Sequence, residues 1–94
     1  QTSFGTLGKY DGYLTVRLSE PTRDREVSSR LLDKFCRAVK QISTRQTGEE
    51  QGAEFVYQVG LRDRERSNEL LEELRRIEGV THVSLVLRSE LSEV

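Results

Sequence analysis

Methionine and tryptophan are absent from this chain of 94 residues, and cysteine, proline and histidine each occur once. A single cysteine cannot form an internal disulfide, which excludes a disulfide-stapled secreted domain and favours a reducing compartment such as the cytosol. Because it has no methionine, the sequence is expected to be an interior piece of a longer protein. Residues 1–11 are interpreted as a linker from a preceding region.

Long apolar runs and an excess of charge are also missing. No stretch has the roughly 20 apolar residues that a transmembrane helix needs, and none has the pattern of a signal peptide. The 15 basic and 16 acidic residues leave a net charge of −1. No face is therefore expected to be uniformly basic, and we predict no nucleic-acid partner.

The apolar residues that are present have a regular spacing, which argues against disorder. Alternation of apolar and polar residues predicts strands over 12–18, 41–47, 53–61 and 81–88. A spacing of about 3.6 residues predicts helices over 24–40 and 64–78.

This order of elements predicts an α+β fold of the ferredoxin-like type. Two strand–helix–strand halves with right-handed crossovers place both helices on one face of a four-stranded antiparallel sheet, with the first and third strands central. The domain is predicted to span residues 12–88, and residues 89–94 form a C-terminal tail. Phe35 and Leu74 are central in their helical stripes, so we expect both side chains in the core.

The stretch "LRRIEGVTHVSLVLRSE" changes abruptly from a helical to an alternating pattern. Gly79 is predicted to end the second helix with a positive φ, which glycine adopts at low cost. Asp63 is predicted to cap the start of that helix, because its carboxylate can accept a hydrogen bond from a free backbone N–H.

The phrase "YQVGLRDRERSNELLEELRRIEGVTHVSLVL" resembles the second half of ACT-type regulatory domains, in which Ile-x-Gly-Val joins a helix to a strand. More narrowly, residues 12–87 are similar to the cytosolic C-terminal domain of bacterial membrane proteins, namely the MgtC/SapB-like family and a related uncharacterised family. The resemblance implies an ACT-like, non-catalytic regulatory or assembly module on the cytosolic face of a membrane, attached through N-terminal segments of its parent protein. It also implies a homodimer or homo-oligomer.

The loop before the first helix departs from the ACT pattern. ACT domains that bind amino acids usually carry a glycine there, whereas this chain has "SEPTRDRE". The amino-acid site is therefore not transferred to any residue, and the identity of a small-molecule ligand stays unknown. An ACT-type domain that binds a ligand at a dimer interface is the alternative function.

The residue types that most often act in catalysis or bind metals, histidine and cysteine, each occur without a partner of the same type in the sequence. His82 has no partner histidine for a metal or for acid–base chemistry, so we expect a surface or interface histidine. Cys36 is expected to be a buried, inert thiol. We identify no catalytic residue, no metal ligand and no cofactor, and a small ferredoxin-like enzyme is the third and least supported interpretation.

The sheet face away from the helices is the candidate functional surface. It is predicted to carry few charges, which suits a contact between proteins. Its predicted members are Tyr13, Thr15, Val56, Gln58, Ser84 and Val86. A contact through the helices is left open.

Overall fold

The computed structural model describes residues 10–46 and 52–87. Its four strands are β1 (Gly12–Leu18), β2 (Cys36–Gln46), β3 (Ala53–Leu61) and β4 (Val80–Leu87). The first helix begins with a 3-10 turn (Pro21–Arg23), continues as α1 (Asp24–Arg30) and ends in a π turn (Leu31–Phe35). The second helix begins with a 3-10 turn (Arg64–Arg66) and continues as α2 (Ser67–Arg75).

The strands form one antiparallel sheet in the order β2-β3-β1-β4. Each half of the chain contributes one central strand and one edge strand, since β1 and β3 are the inner pair. This confirms the predicted ferredoxin-like α+β arrangement, in which two split strand–helix–strand units interleave in one sheet.

One side of the sheet is covered by both helices. The inward residues of β1, Leu14, Val16 and Leu18, are buried. They belong to the same apolar cluster as Leu31 from the first helix and Leu74 from α2. Because the two helices share one cluster with one face of the sheet, no helix of residues 10–46 and 52–87 lies on the opposite face.

The predicted end of the first helix at residue 40 is wrong. The helix ends at Phe35, and Cys36 already has the extended backbone of β2. Cys36 pairs with Leu61 of β3 and belongs to the buried core cluster, so the strand has begun at that residue. The early start lets β2 pair with β3 as far as Leu61, whose neighbouring backbone groups would otherwise lack partners on that side.

The joint between α2 and β4 has the predicted geometry. Gly79 has a φ of 96°, and the N–H of Ser19 donates to the Gly79 carbonyl at 2.8 Å. Asp63 caps the other end of the second helix, since its carboxylate accepts from the N–H of Glu65 at 3.0 Å. The α-helix ends at Arg75, three residues before the predicted end at Glu78, because a turn leads into Gly79.

A second glycine is required for the pairing of β1 with β4. A Cβ atom on Gly12 would lie 2.2 Å from the carbonyl oxygen of Val86 and 2.8 Å from the Cα of Leu87. Both atoms belong to the backbone of the neighbouring strand, so they cannot move aside without displacing β4.

Several predictions fall outside the described residues. These are most of the linker at 1–11, residue 47 at the end of the second predicted strand, residue 88 at the end of the last, and the tail at 89–94. Asp11 is described, and its carboxylate accepts from the N–H of Leu61 at 2.6 Å and contacts Arg37 and Arg64 at 3.3 and 3.4 Å.

Candidate functional site

The helix-free face of the sheet, here called the open face, is organised in rows that run across the strands. Residues opposite one another in an antiparallel pair lie on the same face. The register of β1 with β3 and β4 produces two such rows, and they contain all six residues predicted for this surface. The central row is Val56, Thr15 and Ser84, and the next is Gln58, Tyr13 and Val86.

Two apolar residues of these rows are exposed to solvent. Tyr13 is 40% exposed and Val86 is 38% exposed, and both are among the few large apolar residues of the described chain with that much exposure. Thr15, Val56, Gln58 and Ser84 are half-buried by their neighbours within the sheet. The centre of the open face is therefore an uncharged surface with hydroxyl, amide and apolar groups.

Strand β2 extends these rows in a way that the sequence did not predict. Ser43 pairs with Val56 and Lys40 pairs with Gln58. Lys40 was predicted to lie at the end of the first helix. Ser43 was predicted to lie in a strand but was not assigned to this surface. Irregularities in the pairing at 36–38 and at 41–43 keep β2 in register with β3 despite its extra length.

A third row, which contains charged residues, lies at one end of the open face. The carboxylate of Glu54 accepts hydrogen bonds from the Nε of Arg17 at 3.1 Å and from the Nε of Arg45 at 3.1 Å. The hydrogen bond from Arg17, followed by the charge of Arg45, holds the pKa of Glu54 below its usual value. His82 pairs with Arg17 in the β1–β4 register and completes the row as an exposed residue.

The row at Glu54 was missed by sequence reasoning. Arg17, Arg45 and Glu54 belong to three different strands, β1, β2 and β3. Only the strand register brings them together, and a sequence does not state its register. The available signal was the alternation of β3, which places Glu54 on the same face as Val56 and Gln58.

Cys36 lies where an inert thiol was expected. It is fully buried as a free cysteine at the start of β2. Burial raises the pKa of the Cys36 thiol to about 12, although the positive charge of Arg62 opposes a part of this rise. A thiol that stays protonated and enclosed is a poor nucleophile and a poor metal ligand.

A groove on the helical side is the second candidate surface. It has a volume of about 460 Å³ and is lined by Lys34, Phe35, Arg66, Glu69, Glu72, Glu73 and Arg76. Arg66 covers the ring of Phe35 at 5.0 Å and bonds Glu69 at 2.6 Å, while Lys34 bonds Glu73 at 3.2 Å. These four charges are paired within the chain, and the remaining two, Glu72 and Arg76, are opposite in sign, so the groove has no net charge to attract a charged ligand.

The loop that would correspond to an amino-acid site in ACT domains is closed by ion pairs. Arg23 contacts Glu20 at 3.3 Å, Glu26 at 3.2 Å and Glu78 at 3.4 Å. The helix begins with Pro21, which has no N–H to offer a ligand, and the side chain of Glu20 makes no capping hydrogen bond there. The arrangement gives no support to an amino-acid site at Pro21–Arg23.

Neither a metal-binding cluster nor a membrane-spanning helix occurs in the described ranges 10–46 and 52–87. Within them, no cluster of three or more histidine, cysteine, aspartate or glutamate side chains has the arrangement to hold a metal ion. No helix in the same ranges is both long enough and apolar enough to cross a membrane.

Comparison of the chain with family models, with curated proteins and with solved structures finds no match in any of the three.

Proposed function

We propose that this domain is a non-catalytic regulatory or assembly module that associates with a second copy of itself through the open face. The parent protein would be a larger bacterial membrane protein, with this module on its cytosolic side. The attachment to a membrane rests on the resemblance of residues 12–87 to such C-terminal domains. The self-association rests on the geometry of the sheet.

The observation that carries the proposal is the convergence of six uncharged side chains on a helix-free sheet face. Tyrosine and valine lie beside threonine, serine and glutamine in two adjacent rows. An uncharged centre with a polar rim is the composition of a contact between proteins, because charged groups are costly to desolvate there. Arg17, Glu54 and Arg45 form such a rim at one end.

The size of the surface sets the expected affinity. Four strands at a spacing of about 4.8 Å, each contributing about five residues, present roughly 350 Å² per copy. Two copies would then bury roughly 700 Å², which is below the ~1,200 Å² of ordinary stable complexes. We therefore expect a weak dimer for the free chain, and a well-populated one when two modules are tethered.

Sedimentation of the isolated chain from micromolar to millimolar concentration tests the proposal. We expect the average mass to rise toward that of a dimer, because millimolar is the effective concentration that a short tether creates. Changing Val56 and Val86 to Glu should abolish the rise, since it buries like charges in the contact. Leu32→Glu is the matched control, because Leu32 is 45% exposed on the first helix and not on the sheet.

The control separates the two candidate surfaces. An unchanged dimer in the V56E/V86E double variant, together with its loss in L32E, would move the contact to the helical side and contradict the proposal. A chain that stays monomeric up to millimolar concentration would contradict self-association itself.

A further inference from the structure

Among the orientations that keep both central strands, β1 and β3, in the contact, the charged row of the open face makes the surface complementary to itself in only one. Two identical sheets that pack face to face are related by a two-fold axis in the plane between them. The axis can run across the strands or along them, and an axis along them can pass over β1 or between β1 and β3. Each choice fixes which residue of the second copy faces Glu54.

An axis across the strands produces a contact between like charges. It lays the row of Arg45 and Glu54 over the row of Lys40 and Gln58 of the second copy. Arg45 then faces Lys40, and Glu54 faces an amide instead of a cation. Like charges placed opposite each other in an interface disfavour that orientation.

An axis along the strands and over β1 is also unfavourable. Every residue of β1 then faces itself in the second copy, so Arg17 meets Arg17. Glu54 faces the row position of His82, which leaves the stronger cation without a partner in the other copy.

An axis along the strands and between β1 and β3 exchanges the two central strands. Arg17 then faces Glu54 of the second copy, and the same pair forms again on the other side of the axis. In the uncharged rows, Thr15 faces Val56 and Tyr13 faces Gln58. Packed sheets cross at about 30°, which displaces the outer strands most and the two central strands least, so these central pairs stay within reach.

We propose that two copies pack open face to open face around a two-fold axis parallel to the strands, between β1 and β3, with Glu54 of each copy against Arg17 of the other. This orientation rests on the self-association proposed above. Glu54 is already held by Arg17 and Arg45 of its own chain, so each carboxylate would join a network with arginines of both copies.

Charge reversal tests the orientation by mixing. In the R17E variant both members of the pair are acidic, and in E54R both are basic. Each variant alone should dimerise about tenfold more weakly than the wild type or worse. An equimolar mixture should recover the dimer, because every pair between copies is again opposite in charge. The pair within each chain stays broken in the mixture, so recovery reports contacts between copies only.

Crosslinking tests the same orientation of the two copies without changing any charge. It can also be carried out if the E54R variant does not fold. Thr15→Cys and Val56→Cys are prepared separately and treated with a short bifunctional thiol crosslinker. The mixture should give crosslinked heterodimers in higher yield than T15C alone gives homodimers, because Thr15 faces Val56 of the second copy directly and its own counterpart only at an offset of one strand, about 4.8 Å. The native Cys36 does not interfere, because it is buried with its pKa raised to about 12.

The outcomes separate the orientation from the proposed function. More efficient crosslinking of T15C with itself than with V56C, in a dimer that V56E/V86E abolishes, would overturn this axis while leaving the self-association intact. Recovery of the dimer that is as complete when R17E is mixed with wild type as when it is mixed with E54R would indicate the axis over β1 and overturn the proposal as well, because both partners then present Arg17 to the new carboxylate. A wild-type chain that remains monomeric would overturn both proposals.

Discussion

The hydroxyl of Tyr57 is a polar group enclosed in the apolar core. Its side chain is fully buried, and no residue in the described part of the chain makes a hydrogen bond of ordinary geometry with its hydroxyl. Burial raises the pKa of Tyr57 to about 12, and an interaction with Ser28 offsets a part of that rise. An enclosed hydroxyl without a partner destabilises the folded state, because it has lost its hydrogen bonds to water.

Replacement of Tyr57 by Phe should therefore leave stability unchanged or increase it. We expect the free energy of unfolding to rise by about 0–2 kcal/mol, because the change removes an unpaired hydroxyl and keeps the ring. Urea denaturation measures this value. Tyr13→Phe is the control for the same chemical change at an exposed position. A loss of more than about 1 kcal/mol in Y57F would reveal a hydrogen bond to this hydroxyl.

Gly79 is required because its backbone has a positive φ, and not because a side chain would lack space. A Cβ atom there would lie 3.5 Å from the Oγ of Ser19, which is an ordinary contact, but φ is 96°. Gly79→Ala should cost about 1–2 kcal/mol, and Gly79→Val should cost more because a β-branched side chain tolerates positive φ poorly. Gly79→Asn should cost least. Thermal unfolding of the three variants would contradict this account if their order were reversed.

At the scale of elements, the alternating segments were predictable and one boundary was not. Cys36–Lys40 carries two patterns at once: Val39 follows Phe35 at helical spacing, while Cys36 and Ala38 alternate with Arg37. Local pattern cannot decide between them. The decision comes from β3, whose outer edge needs a partner strand along its full length.

The candidate site also has one part that could be predicted from the sequence and one part that could not. Its six uncharged residues were predictable, because alternation within β1, β3 and β4 states which side chains share a face. The row of Arg17, Glu54 and Arg45 was not predictable, because it depends on register between strands. Register is set by pairing along the whole sheet and is absent from any single segment.

The two helices are joined by an ion pair whose strength depends on pH. The carboxylate of Glu73 on α2 accepts from Arg30 at 2.9 Å and from Lys34 at 3.2 Å. The hydrogen bond from Lys34, with a further contribution from Arg30, lowers the pKa of Glu73. A carboxylate with a lowered pKa in the folded state stabilises the fold above its unfolded pKa, and this stabilisation is lost as the pH falls through the folded value.

Glu73→Gln should therefore reduce the dependence of stability on acid. Compared with the wild type, the variant should have a lower urea midpoint at pH 7 and a smaller further loss between pH 5 and pH 3. Added salt should shrink the difference, because the side chains are partly in contact with solvent. Glu72→Gln, at the adjacent exposed position of α2, is the control. Equal acid sensitivity of E73Q and wild type would refute a stabilising role for this pair.

At the scale of the whole molecule, the proposed contact through the open face would be weak, and a tether would strengthen it. Modules held by neighbouring membrane segments would meet at an effective concentration near millimolar, so a contact too weak to persist in dilute solution becomes populated. Association would then report or enforce the proximity of the attached segments. This behaviour needs a surface of modest size, because a large apolar contact would hold the modules together without the tether.

The central claim is that the open face is the surface of self-association, and methyl NMR measures this directly. Chemical shifts of valine, leucine and isoleucine methyl groups are recorded as the chain is concentrated from micromolar to millimolar. We predict that Val56 and Val86 shift progressively while Leu32, which is exposed on the first helix, stays constant. Concentration-dependent shifts confined to Leu32, with constant Val56 and Val86, would contradict the account.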